Sequence, residues 1–246
     1  MQRYGGLAAI YDYLVSGVDF EGWIDYLEEI LRKFNYKPKT VVDLACGTGN
    51  TLLPLVRRGY QASGVDLSPE MVAMAKEKAD SNGLEADFFV ADMRVFVSPQ
   101  PVDLVTCFHD GLNYLVEYSD LVKTFQRVEQ SLVPGGLFVF DLNAVKWLSG
   151  TQSGVTVIEE EDLTLIFNSA YHDDQDAWEV RLTCFAREGA FYRKFTEIHR
   201  EKAYQVPAVQ GALQEAGLIP LAVYGAFSFD QPAGESKRHF YVAAKK

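Results

Sequence analysis

Residues 41–50 read Val-Val-Asp-Leu-Ala-Cys-Gly-Thr-Gly-Asn, and these residue types at this spacing can hold a polar ligand. Val41 and Val42 are β-branched and begin a buried strand that ends at Asp43-Leu44. Gly47 and Gly49 then allow a tight turn and a close approach of backbone to ligand. Thr51 to Arg58 continues with helical spacing. An acidic residue therefore closes a strand beside a glycine-lined turn that opens a helix. Open α/β sheets bind their ligands at such a place.

Two more strand ends repeat the arrangement. Gln61 to Val65 reads as a strand ending in Asp66-Leu67-Ser68-Pro69-Glu70-Met71. Asp66 follows Gly49 by seventeen residues, close to the separation at which a carboxylate accepts from both hydroxyls of a ribose. Ser68 is placed to cap a helix that has Pro69 at its first position. Phe88-Phe89-Val90 forms a third strand before Ala91-Asp92-Met93. A dinucleotide fingerprint would need a small residue three positions after Gly49, where Leu52 stands. A pyrophosphate also disfavours an anion as near as Asp43, whereas a ligand with a positive end suits it.

The D-x-x-x-G-x-G run from Asp43 to Gly49 resembles motif I of the class I S-adenosylmethionine-dependent methyltransferases, whose ligand carries an ammonium and a sulfonium. The resemblance implies S-adenosyl-L-methionine as cofactor and S-adenosyl-L-homocysteine as product. It places Asp43, Ala45, Gly47 and Gly49 at the methionyl end, Asp66 at the ribose, and Asp92 and Met93 at the adenine. Leu67, Met71 and Phe108 belong to the same cofactor set. Tyr11, within Ile10-Tyr11-Asp12-Tyr13, resembles the tyrosine of a tyrosine-aspartate pair on the family's lid helix, where it approaches the methionyl end. Plain packing of an amphipathic helix is the other reading of Tyr11.

The fourth strand and its loop, Asp103 to Tyr114, run to the switch point beside the first strand. Phe108 and His109 stand there, where donor and acceptor of a methyl group would meet. Methyl transfer is an in-line displacement, and alignment alone can supply ~7–11 kcal/mol. His109 is the candidate general base, with Tyr11 the second catalytic candidate. Stacking or loop capping is the alternative for His109. Asn113-Tyr114 resembles the family's N-Y-L element, and Asp141-Leu142-Asn143 its D-x-N element. His109, Asn113, Tyr114 and Asn143 thus form the expected acceptor pocket, unless the asparagines only satisfy loop backbone. His172 and His199 read as packed or solvated, and no metal-ligating spacing is evident.

The elements that would position these groups alternate. A short apolar helix covers 7–16, and Asp19 caps a longer one reaching about Phe34. Phe20, Trp23, Ile24, Leu27, Ile30, Leu31 and Phe34 recur on one face of it. Strands at 41–45, 61–66, 86–90, 102–108 and 137–142 alternate with helices at 50–58, 69–81 and 118–131, which predicts an α/β, doubly wound sheet. Val133-Pro134-Gly135-Gly136 reads as a turn before the fifth strand. After Lys146 the pattern becomes strand-only, with turns at Asp173–Asp176 and Glu188-Gly189. A helix from Val206 and strands over 221–229 and 239–244 complete a seven-stranded, Rossmann-like sheet in this family. The expected organisation is a core of residues 1–145 and 205–246, with an antiparallel β insertion, 146–204, over the acceptor site. That insertion narrows the resemblance to the subgroup containing glycine N-methyltransferase and the aminosugar N,N-dimethyltransferases.

Composition limits the partners. The 246 residues carry a net charge of −11 and are 48% apolar, enough for one large core. Residues 146–204 hold seven Lys or Arg against eleven Asp or Glu, so neither part is basic. This argues against a nucleic-acid substrate. Three scattered cysteines fit reduced thiols, and neither a secretory leader nor an apolar run of membrane-spanning length is evident. The expectation is a cytoplasmic monomer or homodimer that methylates a small molecule on nitrogen or oxygen. An RNA or protein methyltransferase is the alternative within the class, and a non-catalytic S-adenosylmethionine-binding protein the alternative outside it. A nicotinamide oxidoreductase is disfavoured by Leu52 and Asp43.

Overall fold

A computed structural model of the protein describes residues 7–150, 153–234 and 236–246. The α/β reading holds. Strands β1 (Thr40–Leu44), β2 (Gln61–Asp66), β3 (Asp87–Val90), β4 (Val102–Cys107) and β5 (Leu132–Asn143) are parallel neighbours. Strand β11 (Arg238–Lys245) runs antiparallel to β5 and to the edge strand β10 (Leu218–Gly225). The order across the sheet is β10-β11-β5-β4-β1-β2-β3. The strand order reverses between β1 and β4, so their C-terminal ends flank the crevice where ligands bind.

Both faces of this sheet are covered, which is why its strands read as apolar runs without polar alternation. Helices α5 (Tyr118–Ser131) and α7 (Val206–Glu215) share one apolar cluster with Val42, Val105, Phe138 and Phe140. Helices α2 (Phe20–Lys33) and α3 (Leu52–Arg57) share the other with Val41, Leu104, Leu137 and Val139. Successive residues of β5 therefore feed opposite cores, as the period of a strand requires. Helix α2 starts where expected, with the Asp19 carboxylate accepting from Gly22 N at 2.9 Å. Helix α4 (Pro69–Ser81) likewise starts with Ser68 Oγ accepting from Met71 N at 3.2 Å.

Strands β6 (Gly154–Glu159), β7 (Leu163–His172), β8 (Ala177–Glu188) and β9 (Phe191–Lys202) form a separate antiparallel sheet. Its turns fall where the sequence placed them. Leu165, Leu182 and Cys184 pack with Leu7 and Ala8 at helix α1 (Ala8–Leu14) and with Met71 of α4. Three details depart from the sequence reading, the first being that β10 lies at Leu218–Gly225 and not over 221–229. Residues 145–150 form a short helix α6 (Val145–Gly150), so the insertion does not open on strand. The Val133–Gly136 turn also lies inside β5 as a bulge, because Val102 pairs with Leu132 and Leu104 with Leu137. Gly135 sits there at φ +77°.

Glycine is required at one strand position for space. A Cβ on Gly64, in the middle of β2, would lie 2.7 Å from Cys46 Sγ and 2.8 Å from Leu52 Cδ2. These atoms are packed under the glycine loop, so they have little room to retreat. Gly64→Ala should lower stability by ~1–3 kcal/mol through overpacking. Urea denaturation with an unchanged midpoint would show that the loop yields freely.

Candidate active site

Two cavities open at the C-terminal ends of β1 and β4. The first, of about 670 Å³, is lined by Ala45, Gly47, Asp66, Leu67, Met71, Asp92, Met93, Arg94, His109 and their neighbours. The second, of about 440 Å³, lies beneath the antiparallel sheet. It is lined by Leu7, Leu14, Asn143, Phe167, Trp178, Leu182, His199, Glu201 and Arg238, among others. Tyr11, Asp110 and Tyr114 line both and so mark the passage between them.

The backbone around the passage is bent. Ala45 follows β1 at φ +54°, and His109 and Asp110 follow β4 at φ +58° and +74°. Non-glycine residues adopt this region at a cost, and His and Asp tolerate it better than most. The β4 turn is held from below. Asp141 is fully buried on β5 and accepts from His109 N at 2.7 Å. It also takes the Arg238 guanidinium, which pairs with Asp110 at 2.5 Å as well.

In the larger cavity, Asp66 is fixed by backbone amides of the glycine loop and of its own turn. Its carboxylate accepts from Gly47 N and Ser68 N, each at 2.9 Å, and burial pushes its pKa up. Two backbone bonds leave lone pairs on both oxygens. Asp92 is held by Arg94, whose Nε and Nη2 reach it at 3.0 and 2.5 Å. Arg94 continues to Asp120 at 2.8 Å. The guanidinium keeps the Asp92 carboxyl below its usual range. The groups fit S-adenosylmethionine by chemistry. The cavity joins an ionisable carboxylate, a glycine-loop backbone and apolar walls from Leu67, Met71 and Met93.

Several expected residues stand elsewhere. Asp43 is fully buried behind the loop, where its oxygens accept from Thr51 Oγ1 at 2.6 Å and Thr106 Oγ1 at 2.8 Å. Burial raises its pKa to about 6. It orders the loop and does not reach the cavity wall. Gly49 turns at φ +84° against Ala75, and Phe108 packs on Trp23 and Phe240. Neither lines the cavity. Asn113 is fully buried as well. Its Nδ2 donates to Lys202 O at 2.8 Å and its Oδ1 accepts from Asn143 N at 3.0 Å, so it ties the two sheets together and does not line the pocket.

The sequence of these elements also has close relatives. The methyltransferase-domain model matches residues 41–136. A protein of Geobacillus sp. (strain WCH70) named as a methyltransferase is 30% identical, over 98% of this chain and 99% of the relative. The solved structure of an S-adenosylmethionine-dependent methyltransferase from Clostridium acetobutylicum ATCC 824 superposes with a TM-score of 0.87. It is 30% identical, covering 98% of each chain. The chain belongs to the S-adenosylmethionine-dependent methyltransferases. The dTDP-3-amino-3,4,6-trideoxy-alpha-D-glucopyranose N,N-dimethyltransferase of Streptomyces venezuelae is 24% identical, over 86% of this chain and 89% of that protein.

The methyltransferase carries polar groups around its passage that spacing alone did not select. Arg94, Asp110 and Arg238 line the cavities, as do His199 and Glu201. On β9, Glu197, His199 and Glu201 are all buried while Ile198 and Arg200 are less so. An alternation of Glu-x-His-x-Glu was the available signal, with polar residues facing inward. Helix α1 closes the arrangement. Asp12 accepts from Thr48 Oγ1 at 2.6 Å, Asn50 Nδ2 at 3.0 Å and Lys78 Nζ at 2.9 Å. At the other end, Leu7 N donates to Glu197 at 2.9 Å. Tyr11 is brought to 3.5 Å from His109 Nδ1. Burial, and next the nearby Asp110 charge, push the Tyr11 phenol well above its usual range.

His109 lies against Phe20 and Trp23, with ring centroids 5.4 and 5.6 Å apart. Burial lowers its pKa. The unfolded chain therefore takes up this proton first as pH falls, and stability from His109 is lost below the ordinary histidine range. His109→Gln should lose less melting temperature than the wild type between about pH 7.5 and pH 5. Equal losses in scanning calorimetry would contradict a neutral, buried imidazole.

Proposed function

We propose that this methyltransferase acts on a small molecule seated in the 440 Å³ cavity under the antiparallel sheet. The observation that carries the proposal is the shared wall of Tyr11, Asp110 and Tyr114 between that cavity and the larger one. A cavity of about 440 Å³ has the size of a small-molecule site, and the chain's net charge of −11 disfavours a nucleic-acid acceptor. The aminosugar relative, whose name specifies a sugar nucleotide, is in keeping with this reading.

When bound, S-adenosylmethionine supplies an electrophilic methyl group on sulfur. The chain's residues divide the holding of it. Asp66 would accept from the ribose hydroxyls, while Asp92, kept ionised by Arg94, would accept from the adenine amino group. Gly47 and Ala45 present the loop to the methionyl end, where Tyr11 crosses above Gly47 at 3.9 Å from its would-be Cβ. Met71, Met93 and Leu67 exclude water from the ring. His109 positions Tyr11 and fills the aromatic floor, leaving alignment as its contribution. Asn143 and Tyr114 line the acceptor side.

Asp66→Ala removes two charge-assisted hydrogen bonds of ~1.5–3 kcal/mol each. Titration calorimetry should show S-adenosylmethionine binding at least roughly tenfold weaker, and an unchanged affinity would remove Asp66 from the site. Transfer from methyl-labelled S-adenosylmethionine into a cell extract tests the acceptor class. The label should appear in the dialysable fraction. Label in RNA or protein would overturn the small-molecule reading.

A further inference from the structure

The acceptor cavity has an unusual floor for a pocket with largely apolar walls. Two carboxylates, Asp110 and Glu201, line it, and Arg238 beside them pairs Asp110 with the fully buried Asp141 behind the wall. Glu201 is placed differently. It is 7% exposed and accepts from Asn143 Nδ2 at 3.3 Å, a long bond to a neutral donor. Its cross-strand neighbour on β8 is Trp178. Both residues line the cavity, so a carboxylate and an indole stand side by side on one wall. The Trp178 Nε1–H is buried with no partner among the described residues. A buried carboxylate beside an aromatic ring is the environment that receives an ammonium group, through an ion pair on one side and the ring face on the other.

From this juxtaposition we propose that the acceptor is an amine that enters protonated, and that Glu201 is the catalytic residue that takes its proton. The proposal rests on the small-molecule reading of the same cavity. The N–H bond breaks toward a Glu201 oxygen and frees the nitrogen lone pair. That pair forms the new N–CH3 bond, and the electrons of the broken C–S bond stay on sulfur as a thioether. Burial, then the Asp110 charge, push the Glu201 carboxyl up to about 8, which suits exchange of a proton with an ammonium near neutrality. The groups facing Glu201 are Asp110 after β4, Asp141 and Asn143 on β5, and Arg238 on β11. Tyr11 on α1, Tyr114, and His199 and Glu197 on its own strand complete the set. Among the described cavity-lining residues Arg238 is the lone Lys or Arg, and its Asp110 and Asp141 contacts already occupy it.

The test compares cyclohexylamine with cyclohexanol, which share ring size and differ in charge, on protein loaded with S-adenosylhomocysteine. The wild type should bind the amine at least about tenfold tighter than the alcohol and release protons on binding near pH 7, read by calorimetry in two buffers. Glu201→Gln should abolish both the preference and the proton release, and Glu201→Asp should retain part of each. The fold is checked separately. A carboxyl raised on folding loses stability for the protein as pH rises above the ordinary carboxylate range. Glu201→Gln should therefore gain melting temperature over the wild type at about pH 8 relative to pH 5. Equal binding of the two probes by the wild type, including failure of both to bind, overturns the amine proposal, as does a preference surviving in Glu201→Gln. Neither result touches the small-molecule reading, which fails only if transferred label enters RNA or protein.

Discussion

The buried pair of Asp141 and Arg238 is the contact on which the rest of the site stands. Asp141 is fully buried, and burial without a partner would be prohibitive for a carboxylate. Arg238 answers it from β11, and His109 N answers it from the turn after β4. One carboxylate thus joins three chain segments and fixes the two left-handed residues at the switch point. Removing one member of such a pair leaves the other charge uncompensated, typically at a cost of ~3–5 kcal/mol. The geometry of the passage between the cavities follows from this pairing, since Asp110 shares the same guanidinium.

The core was legible because its determinants are local. Val41-Val42, the glycine turn and the Ser68-Pro69 cap each specify their own backbone, and the antiparallel segment announced itself through its turns. Positions of side chains relative to cavities were less legible. Asp43 ends a strand as expected, yet its side chain is captured by hydroxyls from Thr51 and Thr106, one on another strand and one beyond the loop. Asn113 spends its amide on backbone from β5 and β9, contacts set by tertiary docking. A one-dimensional pattern gives the period of a strand but not which face turns inward. On β9 the face that turns inward carries Glu197, His199 and Glu201, and the less buried face carries Ile198 and Arg200.

Polarity inside the antiparallel sheet divides along β9. Near the lid, Cys184, Leu182 and Leu165 make an apolar patch that seats α1. Farther in, Val180 and Trp178 of β8 stand opposite His199 and Glu201. His199 meets Tyr114 at 3.2 Å and Glu197 at 3.6 Å, so the histidine links the passage to the edge of the lid. The insertion therefore adds buried polar side chains, His199 and Glu201, to the Asp110 and Arg238 that the parallel-sheet core contributes at this end.

Helix α1 is fastened on two sides. Asp12 joins it to the glycine loop and α4, while Leu7 N and Tyr13 join it to the antiparallel sheet. Tyr11 between them walls both cavities. A partition shared in this way couples the comings and goings of two molecules. An outward swing of these seven residues would remove a wall from both cavities at once. The two cavities thus share one door, and a single movement of this helix would change access to both together.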